Sequence, residues 1–306
     1  MTLDPDDRDA IDALRAQEQP TRRATVPALE KVLYTPFPVL DHGFVRVVDY
    51  MGDDAAIVQA ARVSYGSGTK SVRSDAGLIR YLMRHRHSTP FEMCEIKLHV
   101  KLPIFVARQW IRHRTANVNE YSARYSILDR EFYLPAVDAV AQQSAANRQG
   151  RGDALSGDAA AGVRSRMAAQ ATDAFDLYDQ LLGEEAADAP AVARELARAV
   201  LPLSTYTQWY WKIDLHNLLH FVALRADPHA QAEIRAYADV ILELVRRWVP
   251  VTAEAFRDYR LEGAALSRGQ LEAIRRRLRG EPVNAADVGL SAREWRELAT
   301  ILDEDG

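Results

Sequence analysis

Apolar and polar residues alternate most regularly near the middle of the chain. Apolar side chains stand at every second position of one run: Ile96, Leu98, Val100 and Leu102. This spacing of two predicts a half-buried β-strand. Two further strands are predicted over residues 44–50 and over the aromatic run 205–211. Pro103 ends the central strand and opens a helix whose predicted inward face carries Ile104, Ala107 and Ile111.

Apolar residues spaced three or four apart predict helices in most of the remaining chain. The predicted spans are 53–62, 71–86, 163–182, 191–200, 215–224 and 230–249, with Thr89-Pro90 opening a short turn of helix before the central strand. Asp214 and Ser291 precede helical segments as N-caps. The alternation of strands and helices predicts an α/β (α+β mixed) fold with a central sheet and flanking helices.

Composition shifts along the chain predict its domain organisation. Residues 1–38 are charged and interrupted by prolines, which predicts a loose arm with one short helix around 10–14. One compact domain is predicted over 39–262, and a helical extension over 263–306. Within the compact domain, residues 136–162 are rich in Ala, Gln, Gly and Asp without periodicity, so we expect a flexible excursion there.

The composition excludes several classes of protein. The 306 residues are 48% hydrophobic, which is enough apolar material for a core and excludes disorder of the whole chain. Cys94 is the single cysteine, so intramolecular disulfides and cysteine-rich zinc sites are impossible; packing is the expected role of this thiol. No segment has the length and apolarity of a signal core or a membrane span. We therefore expect a soluble cytoplasmic protein.

A net charge of −4 hides a local surplus of positive charge. Between Lys101 and Ser126 there are five lysines or arginines and one acidic residue, Glu120. Guanidinium groups bind phosphate bidentately, and Asn, Gln and Ser recognise the edges of a base or sugar. A solvated basic helix end would not need His, Asn and Ser between the arginines. The segment therefore favours an anionic ligand, and a nucleotide fits it best.

Two other interpretations remain open on the residues alone. His216 and His220 are four residues apart on one predicted helix, and with Asp227 they would suit a metal-dependent nucleotide hydrolase. A non-catalytic nucleic-acid binder would instead use exposed arginines and an aromatic surface. The residues concerned are Arg84, Arg86, Arg112, Arg114 and the aromatic run around Trp209.

Several segments resemble one family, the flavin-dependent thymidylate synthases. Arg112-His113-Arg114, seven further residues and Ser122 match the RHRx7S signature of that family. Other blocks in the same order are similar to it as well: His87-Ser88-Thr89-Pro90-Phe91-Glu92, Phe105-Val106-Ala107-Arg108-Gln109-Trp110, Asn119-Glu120-Tyr121-Ser122-Ala123-Arg124-Tyr125-Ser126 and Leu224-Arg225-Ala226-Asp227-Pro228-His229-Ala230-Gln231. The resemblance covers about residues 40–260, and leaves the arm, the excursion and the C-terminal extension outside.

This resemblance implies a homotetramer whose active sites are each built from several subunits. The implied reaction methylates dUMP at C5 to give dTMP, with 5,10-methylenetetrahydrofolate as carbon donor. FAD, reduced by NADPH, supplies the hydride, and no enzyme cysteine acts as nucleophile. It implies no metal, no nucleic-acid partner and no membrane partner.

The resemblance also implies roles for single residues. It assigns dUMP binding to Gln109, Arg112, Glu120, Ser122, Arg124, Arg198 and Arg225, with Glu120, Ser122 and Arg124 contributed by a neighbouring subunit. It assigns FAD binding to His87, Thr89, Arg112, His113, Arg114, Glu120, Asp214, His216 and His220, where some members carry Asn at the positions of Asp214 and His220. Arg225 is the implied catalytic residue, because a fixed cation beside uracil N3 favours its ionisation and makes C5 nucleophilic.

Overall fold

A computed structural model of the protein describes residues 5–63, 72–145, 150–183 and 191–302. Its contacts divide the chain into two compact units, Met1–Glu254 and Ala255–Gly306. Within the described residues, no helix is long and apolar enough to cross a membrane.

The first unit is built on a five-stranded antiparallel sheet. Its strands are β1 (Phe37–Val39), β2 (Gly43–Met51), β3 (Glu95–Pro103), β4 (Asn117–Glu120) and β7 (Tyr206–Asp214). They are ordered β1-β2-β3-β7-β4, so the central strand β3 pairs with β2 on one side and β7 on the other. This confirms the predicted fold class of a central sheet with flanking helices. The short strands β1 and β4 were not predicted from the sequence.

The helices of the first unit follow the predicted order, with changed ends. They are α1 (Pro5–Arg15), α2 (Pro27–Glu30), α3 (Asp54–Arg62), α4 (Val72–Arg84), α5 (Thr89–Glu92), α6 (Ile104–Trp110), α7 (Gly157–Leu182), α8 (Arg194–Ala197), α9 (Leu215–Arg225), α10 (Ala232–Trp248) and α11 (Pro250–Phe256). The helix predicted over 191–200 is shorter: α8 is a single turn that continues as the 3₁₀ turn Arg198–Val200. The prediction that Asp214 caps a helix is confirmed, since its side chain accepts from the Asn217 N–H at 2.9 Å.

The N-terminal residues are more structured than the predicted loose arm. Ile11 on α1 and Leu29 on α2 are buried. The backbone N–H of Val26 donates to the Tyr50 hydroxyl on β2 at 2.7 Å. These contacts attach the segment before β1 to the sheet.

The segment 136–162, predicted to be a flexible excursion, contains regular structure in its described residues. A 3₁₀ turn at Val137–Ala139 leads into a two-stranded hairpin of β5 (Ala141–Gln143) and β6 (Arg151–Ala154), and α7 already begins at Gly157. The composition did not predict this hairpin, because short polar strands that pair with each other show no apolar periodicity.

Aromatic side chains fill the core between the sheet and helices α6, α9 and α10. Trp110, fully buried, stacks on Phe221 at a centroid distance of 4.6 Å and meets Trp211 edge-on at 5.1 Å. Tyr237 of α10 lies 5.9 Å from the same indole. The predicted inward face of α6 was wrong at Ile111, which is 39% exposed. Because Trp110 points inward, Ile111 lies about 100° around the helix from the core.

The second unit contains two α-helices, α12 (Arg268–Leu278) and α13 (Ala292–Ile301), with a π-helical turn at Arg257–Leu261 and a 3₁₀ turn at Ala286–Val288. Both begin with a capping box, at Ser267 with Gln270 and at Ser291 with Glu294. The helical extension predicted over 263–306 contains these helices, and Ser291 is the N-cap of α13, as predicted.

Candidate active site

Gln109 and Arg225 meet at one cavity of about 470 Å³, formed between the end of α6 and the turn that follows α9. The Gln109 Oε1 and Arg225 Nε atoms are buried and have no hydrogen-bond partner among the described residues. Burial lowers the pKa of the Arg225 guanidinium. A buried polar atom without a partner costs about 1–3 kcal/mol, so two at one cavity indicate a ligand that completes them.

The turn after α9 is fixed by its own hydrogen bonds. The Asp227 Oδ1 atom accepts from the His229 backbone N–H at 2.7 Å and lies 2.9 Å from His229 Nδ1. Arg235 Nη1 donates to the Pro228 carbonyl at 2.8 Å. Hydrogen bonds from His229 lower the pKa of Asp227. The turn therefore holds Arg225 and Gln231 at the cavity wall, and Asp227 is engaged within it.

A second cavity of about 350 Å³ brings together three of the residues implied for dUMP, Glu120, Ser122 and Arg198. Thr207 on β7 donates its hydroxyl to Glu120 Oε1 at 2.8 Å, which orients that carboxylate at the end of β4. Arg198 therefore lies with Glu120 and Ser122 of its own chain, and it does not line the cavity of Gln109 and Arg225.

Arg124 lies beside this second cavity with a carboxylate partner. Its Nη2 atom is 3.4 Å from Glu195 Oε2, and both side chains are more than half exposed. Arg194 on the same turn of helix donates Nη1 to the Tyr125 carbonyl at 2.8 Å. An exposed ion pair of this kind contributes little to stability, so the guanidinium of Arg124 can exchange Glu195 for an incoming anion.

His113 packs against α9 through aromatic contacts. Its ring lies 5.6 Å from the rings of His220 and Phe221, and Thr115 Oγ1 is 3.0 Å from its Nε2 atom. Burial, followed by the charges of His220 and Arg225, lowers the pKa of His113, so its imidazole is neutral at pH 7. The structure thus brings His113 and His220 together, two of the residues implied for FAD.

His87 and Thr89 line a third cavity, of about 1060 Å³, with apolar neighbours from α3 and α4. Tyr81 of α4 lies between two imidazoles, 4.4 Å from the ring of His85 and 5.8 Å from that of His87. Arg86 between those histidines has φ +60°, the left-handed conformation in which glycine is usual. The remaining residues implied for FAD do not line this cavity.

Asp214 and the buried indoles have structural roles in the chain. The Asp214 carboxylate is bound to Asn217, at 2.9 Å from its backbone N–H and 2.7 Å from Nδ2. Trp209 and Trp211 are 3% and 0% exposed, so these two indoles are not available to stack on bases. Cys94 is buried and its pKa is raised to about 12, chiefly by burial, which leaves a protonated thiol.

The predicted histidine pair gains no third metal ligand. In the described ranges there is no group of three or more His, Cys, Asp or Glu side chains placed to hold a metal ion. The structure also identifies lining residues that the sequence alone did not single out, Gln231 at the first cavity and Thr207 at the second. Thr207 lies in the strand pattern of β7, and Gln231 lies in one of the segments that resemble the family. Neither signal predicts that the side chain lines a cavity.

Comparisons with known proteins agree with this geometry. The family profile described as thymidylate synthase complementing protein matches residues 46–251. Flavin-dependent thymidylate synthases from Gluconobacter oxydans (strain 621H) and Ruegeria pomeroyi (strain ATCC 700808 / DSM 15171 / DSS-3) are 64% and 62% identical to the chain, over 99% of this chain and of each relative. The crystal structure of the UMP/dUMP methylase PolB from Streptomyces cacaoi bound with 5-Br dUMP has a TM-score of 0.65 and 34% identity, and the match covers 74% of this chain and 99% of that chain.

Proposed function

The chain belongs to the family of thymidylate synthase complementing proteins, and from that premise we propose which of its residues bind dUMP and FAD and how they act. The reaction is that of a flavin-dependent thymidylate synthase, the reductive methylation of dUMP to dTMP with FAD as cofactor. We propose 5,10-methylenetetrahydrofolate as the carbon donor and NADPH as the reductant. The metal-dependent hydrolase and the nucleic-acid binder are overturned by the family match.

The observation that carries the site assignment is the pair of unpartnered atoms on Gln109 and Arg225. A uracil ring offers one donor, N3–H, between two carbonyl acceptors, and it would complete these two groups in the 470 Å³ cavity. A fixed guanidinium beside the ring stabilises negative charge that develops when N3 ionises and C5 becomes nucleophilic. Arg225 is therefore the proposed catalytic residue.

The second cavity is suited to the phosphate of dUMP. The guanidinium of Arg198 and the hydroxyl of Ser122 both line it, and Arg124 lies beside it in an exposed pair with Glu195. Arginine forks bind phosphate bidentately and more strongly than neutral donors do. Arg112 is exposed just after the end of α6. We propose that it also binds the phosphate of dUMP.

The two nucleotide-binding cavities share no lining residue within one chain. We propose that they are complementary halves, brought together when Glu120, Ser122 and Arg124 of one subunit meet Gln109 and Arg225 of another. A closed symmetric oligomer repeats such a heterologous contact without free ends, and a homotetramer is the proposed assembly.

The residues implied for FAD have the chemical properties that its ring system and its pyrophosphate require. The cavity at His87 and Thr89 has the apolar walls that an aromatic ring system requires, and exposed Arg112 and Arg114 can bind a pyrophosphate. His113, His216 and His220 add imidazoles, while Asp214 caps α9. FAD, when bound, supplies the hydride that completes the methyl group. The neutral imidazole of His113 can donate or accept a hydrogen bond without adding charge to that site.

The test of these assignments separates methylation from flavin chemistry. The variant Arg225→Ala should lose most dTMP formation while NADPH still reduces its bound FAD, because the change removes a group placed at the uracil. Arg246→Ala is the matched control, since that arginine is half exposed on α10 in a pair with Glu243 at 3.7 Å. Loss of FAD binding alone in Arg225→Ala, with methylation per bound flavin unchanged, would contradict the assignment.

A further inference from the structure

Glu233 has a buried carboxylate that accepts hydrogen bonds from three side chains. It lies in the first turn of α10 and is 2% exposed. Its Oε1 atom accepts from the Tyr133 hydroxyl at 3.0 Å and from Arg151 Nη2, and its Oε2 atom accepts from Gln231 Nε2 at 2.9 Å. Burial raises the pKa of Glu233, but the hydrogen bonds from Gln231 and Arg151 outweigh it and hold the pKa below its usual value. The carboxylate is therefore ionised at neutral pH.

Arg151 brings the balancing charge to Glu233 from the surface. It stands at the start of β6 in the hairpin of β5 and β6, and its side chain is 40% exposed. Its Nη1 atom donates to the Ala139 carbonyl at 3.4 Å, so one guanidinium joins the base of the hairpin to the interior. Without Arg151, the buried carboxylate would keep only the neutral donors Tyr133 and Gln231 among the described residues.

Gln231 connects this network to the cavity of Gln109 and Arg225, which it lines. Because Gln231 Nε2 donates to Glu233, the amide cannot turn its nitrogen to the opposite side without losing that bond. Gln231 is exposed where it lines the cavity, so its Oε1 atom is open to a ligand there. A carbonyl oxygen held at the cavity wall accepts a hydrogen bond from a donor on the ligand.

We propose that Gln231 is a further nucleotide-binding residue and that Arg151 is a positioning residue for it, acting through Glu233. This inference rests on the proposed function, because it takes the cavity of Gln109 and Arg225 as the dUMP site. The hairpin of β5 and β6 then contributes to substrate affinity without touching the substrate.

The chain offers a matched control for Arg151. Arg130 is an exposed arginine of similar accessibility, and it also links a surface segment to a helix, through Asp176 and Asp179 on α7. None of these three residues lines the dUMP cavity. A general loss of surface ion pairing would affect both arginines alike, whereas the proposed role belongs to Arg151.

The first experiment compares Arg151→Gln, Arg151→Lys and Arg130→Gln as FAD-loaded proteins. Calorimetric titration with dUMP should show affinity weakened about 3- to 10-fold in Arg151→Gln, the range of one neutral hydrogen bond. Arg151→Lys should recover part of it, and Arg130→Gln should bind like the parent. KM for dUMP should rise in Arg151→Gln with kcat within about twofold, because the chemistry uses other groups. A lower thermal midpoint with unchanged dUMP affinity would overturn the proposal.

The second experiment removes Gln231 itself. Gln231→Met keeps the Arg151–Glu233 pair and should weaken dUMP binding by the same factor; parental affinity in this variant would overturn the proposal even if Arg151→Gln did not fold. The double variant should bind dUMP no more weakly than Gln231→Met, since both changes remove one contact. Additive losses would mean that Arg151 acts elsewhere.

Arg225→Ala separates this inference from the proposed function. If that variant keeps parental dUMP affinity, the cavity is not the nucleotide site and the proposed function of these residues fails. If it loses affinity while the Arg151 and Gln231 variants do not, only the present inference fails.

Discussion

Two inactive variants of the protein should restore each other's activity when their chains assemble together. Arg225→Ala damages the cavity at α6 and α9, and Arg124→Ala damages the anion-binding side of the second cavity. Each change removes a charge-assisted contact to the nucleotide, worth about 1.5–3 kcal/mol, which corresponds to a loss of roughly 10- to 150-fold in each pure variant.

The expected recovery follows from counting chains at each site. If every site takes one half from each of two chains, random assembly of the variants in equal amounts gives both intact halves at about one quarter of the sites. The mixture should therefore reach about 25% of the parental rate, well above the level of either variant alone. If both halves belonged to one chain, every site would carry one defect.

The assay coexpresses the two variants with different affinity tags and purifies the mixed assembly by both tags in turn. Formation of dTMP is measured against the parental protein and against each variant, at equal FAD content. Mixed activity equal to the mean of the two variants would refute the proposal that neighbouring chains complete each site. A control mixture of Arg225→Ala with Gln109→Ala, whose defects share one cavity, should stay at the variant level.

Three further outcomes test other parts of the structure. Arg86→Gly should raise the free energy of unfolding by about 0.5–1 kcal/mol, because it relieves a left-handed φ two residues after the end of α4. Arg84→Gly, in the last turn of α4, should lower the free energy of unfolding by a similar amount. Urea unfolding measures both, and a loss of stability in both variants would contradict the argument. Cys94→Ala should keep dTMP formation within about twofold, because a protonated buried thiol is no nucleophile, and an inactive but folded variant would contradict this. Burial lowers the pKa of His99 to about 4, so as pH decreases the unfolded chain protonates this histidine before the folded chain does. The free energy of unfolding should therefore fall between about pH 6.5 and pH 4. His99→Gln should show a shallower fall with pH, and an equal fall would assign the pH dependence to other groups.

The main architecture could be predicted because its apolar patterns are regular. The alternation in β3 and the proline after it predict a half-buried strand followed by a helix, and the structure has both. The inward face of α6 was predicted from aliphatic residues, and the prediction failed where Trp110 took the buried position and left Ile111 exposed. Periodicity gives the spacing of a buried face but not which large side chain the neighbouring helices accept.

Short polar elements could not be predicted for a different reason. Strand β4 has four exposed residues, Asn117–Glu120, and its place is fixed by pairing with β7 rather than by its own pattern. The hairpin of β5 and β6 is equally polar. In such segments the neighbouring strand supplies the hydrogen bonds, which a single stretch of sequence does not reveal.

The residues of the candidate site could be predicted from the sequence, but which of them share a cavity could not. The sequence indicated Gln109, Arg225 and Arg198 through their resemblance to family segments, but the structure places Arg198 in a different cavity from the other two. The link from Arg151 to Glu233 spans 82 residues, and Gln231 gains its orientation only from that link. Long-range contacts of this kind follow from the fold as a whole.

The most direct test of the central claim is an anaerobic single turnover. The protein, with its FAD reduced by NADPH and excess reductant removed, is mixed with dUMP and 5,10-methylenetetrahydrofolate while flavin absorbance is recorded and dTMP is quantified. A flavin-dependent methylation that uses no thiol predicts equal amounts of dTMP and reoxidised FAD, in the parental protein and in Cys94→Ala alike. Formation of dTMP while the FAD stays reduced, or reoxidation without dTMP, would contradict it.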